Sequence, residues 1–241
     1  MKKTKVFSVA LLSIALILLV GISSACGEIV KGNGNVITDD RNVSTFDGIR
    51  IGGSFEVFLE QGNSESLRIE ADENLMSHIK TEVRGGVLHI WIKESVIRAE
   101  SMRAYITFVN VENIDISGAV ELSGIGSLSF DDLGIEASGA TEIDLNLHAG
   151  SLELDLSGSS EVDLEGKASN MNLGISGAGE LFAEDFLLQS CDIGISGAGS
   201  AVINVSERLD IDISGAASVR YKGQPKVSQR VSGAAKVRSI D

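Results

Sequence analysis

The chain has 241 residues, with 34 Asp and Glu against 20 Lys and Arg, so its formal net charge is −14. Such an acidic protein is a poor candidate for binding nucleic acid, because attraction to phosphates supplies most of that affinity. The 27 glycines and the single proline exclude a collagen repeat or a proline-rich linker, and they favour a chain that turns often on glycine.

The first 25 residues have the layout of an export signal. Three lysines precede a long apolar run, and small residues then lead to Cys26. The spelling ISSAC resembles a bacterial lipobox, in which the cysteine is lipidated, although Ser23 departs from the usual Leu. We therefore predict a signal peptide over residues 1–25 and lipidation at Cys26. Ordinary cleavage before Cys26, an uncleaved anchor and a disulfide between Cys26 and Cys191 are the alternatives.

The next two segments differ in texture. Residues 26–42 are polar and rich in glycine, which predicts a tether between the lipid and the folded domain. Residues 43–112 alternate apolar and polar residues, as in GVLHIWIK, which is the period of a β-strand. The stretch ADENLMSHI is typical of a turn or of one helical turn. We predict a β cap with the first coils here, sealing the apolar end of the repeats that follow.

Residues 113–241 contain seven copies of Ser-Gly-Ala or a near variant, spaced 18 to 21 residues apart. Apolar residues, most of them aliphatic, recur directly before each serine and five residues after it. A unit of about 20 residues with short strands and glycine turns is typical of one coil of a β-helix. We predict an all-β fold with about seven such coils. The repeated pairs are Ser117 and Gly118, Ser138 and Gly139, Ser157 and Gly158, Ser176 and Gly177, Ser196 and Gly197, Ser214 and Gly215, and Ser232 and Gly233.

The hexapeptide GISGAG occurs twice and raises the question of a phosphate-binding glycine loop. Such a loop joins a strand to the N-terminus of a helix, whose free N–H groups hold the anion. No helical pattern follows either copy. We therefore interpret the glycines as residues that permit a bend and close backbone approach, and the serines as residues that can bond to neighbouring coils.

The whole pattern resembles a known family. RNVSTFDGIRIGGSFEVFLEQG, LRIEADENLMSHIKTEV and YITFVNVENIDISGAVEL, followed by repeated ISGAG, are similar to the putative auto-transporter adhesin family built on the head GIN domain. The resemblance covers residues 34–241. It implies a right-handed single-stranded β-helix (a solenoid) in exported or lipid-anchored bacterial envelope proteins. The family supplies no catalytic or binding residues to carry over.

Few residues suggest chemistry. His78, His89 and His148 lie in unrelated places, and the sequence shows no metal-ligand motif and no Ser-His-Asp arrangement, so we predict no catalytic residues and no cofactor. Four glutamates recur four residues after the repeat serine. They predict either a solvated face or a weak divalent-cation ladder or a face for a basic partner. They are Glu121, Glu142, Glu161 and Glu180.

The charge changes sign at the end of the chain. Residues 219–241 carry six basic residues against Asp241 alone. Because a charged edge strand resists pairing with another strand, we predict a cap here. Attraction to an anionic surface or to the acidic flank of another copy is the alternative.

These observations predict a non-catalytic protein of the cell envelope, exported and membrane-anchored as a lipoprotein at the outer membrane or the cell surface. Its role would be adhesion, binding or scaffolding. The expected partners are an envelope glycan or a surface protein, and the lipid bilayer through the N-terminal anchor. A polysaccharide-processing β-helix enzyme is one alternative, and an envelope sensor that acts through a partner protein is another.

Overall fold

The computed structural model of the chain describes residues 29–92 and 95–240. They form an all-β fold with one helical turn, α1 (Glu73–Met76). The predicted signal peptide and Cys26 lie outside the described residues. The strands are β1 (Ile29–Lys31), β2 (Val36–Arg41), β3 (Gly48–Gln61), β4 (Ser66–Asp72), β5 (Ile79–Arg84), β6 (Val87–Ile92), β7 (Ser95–Arg98), β8 (Met102–Phe108), β9 (Asn113–Gly197), β10 (Ser200–Gly215), β11 (Ser218–Lys222), β12 (Lys226–Gly233) and β13 (Lys236–Ser239).

Successive repeats pair side by side as parallel strands. β10 pairs with the end of β9, and β11 and β12 pair with β10 one repeat further along the chain. β13 follows on β11, and the start of β9 pairs in parallel with β3. β9 extends through several repeats, because the strand conformation continues through the bends. The repeats therefore lie one on another in a stack.

The glycine of every repeat stands at a bend that other residues would not tolerate. These seven glycines have φ values between 97° and 140°, a region that side-chain-bearing residues avoid. A methyl group on any of them would overlap the carbonyl oxygen of the corresponding glycine in the preceding repeat, beginning with Gly53 under Gly118. We call this column of eight glycines the glycine corner. It accounts for the central glycine of each GISGAG, Gly177 and Gly197, because each glycine of the column lies against the backbone of the glycine in the preceding repeat.

Serine hydroxyls reinforce the same corner. The Oγ atoms of Ser117, Ser138 and Ser157 donate to backbone carbonyls of the preceding level at 3.2–3.3 Å. The aliphatic side chains before the serines point inward, and one continuous core extends from Phe46 to Val219. Burial of this shared core is what stabilises a stack whose single units are too small to bury their own apolar faces.

The two ends of the stack differ. On β3, the side away from β9 carries β6 and β8. Antiparallel strands then continue outward, with β5 on β6, β4 on β8 and β2 on β4. We call this the closed end. At the other end, every residue of β12 is exposed, and we call this the open end.

One sequence expectation changes at the closed end. The segment predicted as a tether, residues 26–42, contains β1 and β2, which pair with β7 and β4. The folded region thus begins earlier than residue 43. Within the described residues, no helix is long and apolar enough to cross a membrane.

Candidate binding surface

A long groove follows the glycine corner on one side of the stack. Its volume is about 1090 Å³, and its lining includes residues from β3 to β13. The floor is made by the small residue after each glycine, such as Ala140, Ala178 and Ala198. Because Ser, Gly and Ala of these repeats are all exposed at the bend, the groove is a direct product of the repeated tripeptide. We call it the corner groove.

The four repeated glutamates form one wall of the corner groove. They are exposed, and each stands three residues after a stacked glycine. The column extends at both ends, because Glu56 is in register with Glu121, and Glu180 is followed by Ser200, Ser218 and Lys236. Neighbours in such a column lie about 4.8 Å apart. The wall therefore carries a line of negative charge that ends in a lysine at the open end.

The described residues contain no group of three or more His, Cys, Asp or Glu side chains arranged to hold a metal ion. The four glutamates lie in one line, and no other described side chain joins them as a metal ligand. The cation ladder stays a prediction.

Residues 96–102 of the closed end line the corner groove where it begins, and we call them the overhang. Asp72 holds this segment. Its buried carboxylate accepts hydrogen bonds from the backbone N–H of Gly34, of Glu100 at 2.8 Å and of Ser101 at 3.2 Å. Burial favours the neutral acid, but the three N–H donors outweigh it and lower the pKa of Asp72 below its ordinary value. Asp72 thus ties three segments together as a charged residue.

Arg103 lies beside the same overhang. Its guanidinium donates to Glu56 at 2.7 Å and to Glu70 at 3.0 Å, and hydrogen bonds to these two carboxylates raise its pKa further. The first glutamate of the groove wall is therefore ion-paired, whereas no described cation pairs with Glu121, Glu142, Glu161 or Glu180.

A second cavity, of about 780 Å³, lies on the serine side of the glycine corner. Acidic side chains flank the serines in most repeats, as Asp155 and Asp212 do, but glycine takes that place at Gly174 and Gly194. Both copies of GISGAG start on these glycines. The hexapeptide therefore opens a gap two repeats long in an otherwise charged face.

Beside this gap the structure brings together an acidic pair and a base. Arg208 donates to Asp192 at 2.8 Å and also to Asp210. Spacing along the sequence does not reveal this cluster, because residues 16 positions apart become neighbours only in adjacent levels. The hydrogen bond from Arg208 lowers the pKa of Asp210. Asp210 is consequently held as a carboxylate, the opposite of what a general acid needs.

The comparisons with known proteins bear on this arrangement. The profile of the family described as "Putative auto-transporter adhesin, head GIN domain" matches residues 45–225. The chain belongs to this family. The head GIN family carries the name of an adhesin, a class of cell-surface protein, and not that of an enzyme. The chain matches no curated protein.

Solved structures share the fold of this head GIN chain. A putative adhesin from Bacteroides fragilis is similar at a TM-score of 0.80 and 24% identity, over 88% of this chain and 100% of that one. A putative lipid binding protein from Parabacteroides distasonis is similar at 0.74 and 20%, over 89% and 100%. A putative adhesin from Parabacteroides merdae is similar at 0.69 and 23%, also over 89% and 100%. At these identities the likeness shows a common fold.

The head GIN chain has one cysteine within the described residues. Cys191 is buried and free, and burial raises the pKa of its thiol to about 12. Such a thiol is a core side chain and a poor nucleophile. Its predicted alternative partner, Cys26, lies outside the described residues.

Sequence reasoning missed the residues that organise the ends of the head GIN chain. Asp72 precedes α1 in the position of a helix cap, which is a readable signal, but its three donors come from residues 28 to 38 positions away. Arg103 and Arg208 carried no signal at all, because their partners become neighbours only through the stacking.

Proposed function

We propose that this chain is an exported protein of the cell envelope that binds a partner without chemical turnover, and that Cys26 anchors it to lipid. In this proposal its repeats form a right-handed single-stranded β-helix of about seven coils. The observation that carries the proposal is the corner groove, which passes every repeat on one side of the stack. A surface of that length suits an extended polymer better than a small molecule.

The stacking supports the β-helix. Each repeat pairs in parallel with the next one in sequence, and each stacked glycine lies against the backbone of the glycine before it. A parallel pairing between consecutive units requires the chain to travel once around the stack between them.

The chemistry of the groove supports a glycan as the partner. Alanines leave room for a ring to approach the backbone, and carboxylates accept hydrogen bonds from hydroxyl groups. The groove wall has carboxylates in successive repeats, so an extended glycan would meet an acceptor at every level. The ionised Asp210 and the buried Cys191 favour binding over turnover at the other candidate positions.

A glycan array tests the function. Binding to an envelope glycan is expected for the unaltered chain and is expected to be lost in Ala178→Trp, which fills the groove. Asn146→Trp, on a different face, is the matched control and should bind normally. Equal binding by both variants would remove the groove from the proposal. Release of shortened glycan products would instead support the polysaccharide-processing alternative.

The anchor is tested separately. In Cys26→Ala, we expect the protein to leave the membrane fraction while its glycan binding in solution stays the same. Retention of the variant in the membrane fraction would contradict lipidation and support an uncleaved apolar anchor.

The cation ladder belongs to the same groove. If calcium bridges the glutamates, millimolar calcium should raise the melting temperature relative to chelator, and Glu142→Gln with Glu161→Gln should abolish that rise. An identical melting curve in calcium and in chelator would remove the ladder and leave a solvated acidic wall.

A further inference from the structure

The open end of the stack combines three features that the proposed function does not use. The first is exposed apolar surface. In β12, Val227 and Val231 are in register with the buried Leu209 and Ile213 of β10 and continue the core outward. Their exposures are 36% and 46%, because no further repeat covers them among the described residues. An uncovered end of a core is an unfavourable surface in water.

The second feature is a free strand edge. β12 pairs with β10 on one side, and β13 pairs with β11 on one side. Within the described residues, no strand pairs with the other side of β12 or β13. Backbone N–H and C=O groups on that side of β12 are available to an added strand, which is a common mode of peptide recognition.

The third feature is concentrated positive charge. Residues 219–240 carry six Lys and Arg and no Asp or Glu. Arg220 and Arg238 are in register and repel each other. Of the six, only Lys222 has an ion-pair partner in the described part of the chain, Glu184 at 3.4 Å. Anionic groups brought to this end would relieve the repulsion.

We propose that the open end is a docking site for an extended acidic segment of a partner protein, which adds to β12 as the next strand. Inward residues of that segment would cover Val227 and Val231. Its outward acidic residues would lie beside Lys226 and Arg230. The segment is therefore expected to alternate acidic and apolar residues.

A second copy of this chain fits the open end less well. Two open ends would bring twelve cations together, twice the six of one end. The closed end presents β2, whose Asp39 and Asp40 are already paired with Arg41 and Arg68, each at 2.7 Å. The charges that repel another open end therefore select a partner of opposite charge.

An anionic membrane also fits less well. The described chain starts in β1, which pairs with β7 at the closed end. A lipid attached before β1 would place the membrane near the closed end, with the open end at the far side of the stack. A bilayer also offers no backbone groups to the free edge of β12.

The test uses the full chain and a labelled peptide of alternating Glu and Val, with fluorescence anisotropy as the readout. We expect saturable binding that weakens with salt, and no binding of the Lys and Val counterpart. Lys226→Glu with Arg230→Glu should weaken binding at least about tenfold. Arg84→Glu with Lys167→Glu makes the same change of charge elsewhere and should bind as the unaltered chain does.

Two further measurements separate strand addition from charge attraction alone. The same peptide with alternate backbone nitrogens methylated keeps its charge but loses donors, and we expect it to bind at least about tenfold more weakly. Hydrogen exchange should show new protection in residues 226–233 with the unmodified peptide. Equal binding of the methylated peptide, or no new protection, would overturn the proposal even if the charge-reversed variant unfolds. Binding to anionic phospholipid vesicles without binding to the peptide would overturn it in favour of a membrane.

Discussion

The closed end and the open end are made from the same kind of strand, and they differ in what lies beyond the last one. At the closed end, β3 is followed by β6 and β8 and then by antiparallel strands, and Ile69 in β4 is fully buried. At the open end, Val231 holds an inward position but remains 46% exposed. A repeated sequence pattern thus specifies the direction of a side chain, while its burial depends on whether a neighbour follows.

The largest expected effect tests the difference in burial between the two ends. Ile69→Ala should lower the free energy of unfolding by about 3–4 kcal/mol, because it leaves a cavity in the closed end. Val231→Ala at the open end should cost less than about 1 kcal/mol, because the residue is already 46% exposed to water. Urea unfolding of both variants measures the difference. Similar losses would mean that the open end is covered in solution.

The glycine corner tests whether the stack is uniform between its ends. Gly197→Ala should lower the free energy of unfolding by about 3 kcal/mol, because alanine is strained at a φ of 135° and overlaps the carbonyl of Gly177. Gly194→Ala, three residues earlier, is the matched control. Its added methyl group meets no atom closer than 3.9 Å, so we expect little change in the urea midpoint. Equal losses would show that the column of glycines is not what the fold requires.

The hydrogen bonds to Asp72 are expected to stabilise the closed end. Asp72→Asn removes the charge that accepts three backbone donors, and we expect a loss of about 2 kcal/mol at pH 7. Because the folded pKa of Asp72 lies below its ordinary 3.8, the carboxylate contributes its stability above that pH and loses it as the pH falls further. The difference between variant and unaltered chain should therefore shrink below about pH 4. A difference that stays constant down to the acid transition would contradict this assignment.

The smallest effect concerns the acidic middle of the stack. Partial burial, with repulsion from Asp144, Glu165, Asp185 and Glu184, raises the pKa of Asp163. A raised pKa means that ionised Asp163 opposes folding once the pH exceeds its ordinary value. Asp163→Asn should therefore stabilise the chain at pH 7 by about 0.5 kcal/mol, after solvent screening, and the gain should vanish below about pH 4.

Asp210 provides the control of opposite sign. Its hydrogen bond from Arg208 lowers the pKa of the carboxyl, so Asp210→Asn should not stabilise the chain at pH 7. Melting temperatures of the two variants in low and in high salt are the measurement. Stabilisation by both substitutions would indicate a general effect of net charge and not of position.

The sequence was sufficient for the parts of the fold that repeat. The column before the repeat serines is buried at Ile116, Leu156 and Ile195, as the alternation predicts. The exception is Val231, because a single column cannot reveal that the next level is absent. A glycine at each bend was expected from the sequence. That no other residue fits there follows from contact with the glycine of the preceding repeat, which only the stacked structure shows.

The candidate site was less predictable for the same reason. Each glutamate of the groove wall could be named from its spacing, whereas the overhang of residues 96–102 could not, because Asp72 joins segments that have no common pattern. Arg208 and its two carboxylates belong to different repeats. Features that repeat can be read from spacing, and features that occur once require the coordinates of their partners.

The glycine corner also has a consequence for how such proteins change in length. Every level rests on the one beneath through the same backbone contact, so duplication of one unit of 18 to 21 residues inserts a complete level and leaves both ends as they are. Small differences in unit length are absorbed by shifts of register, as between Ile203 and Asn204 and again between Val205 and Arg208. Duplication of such a unit in the gene would therefore lengthen the stack in whole steps.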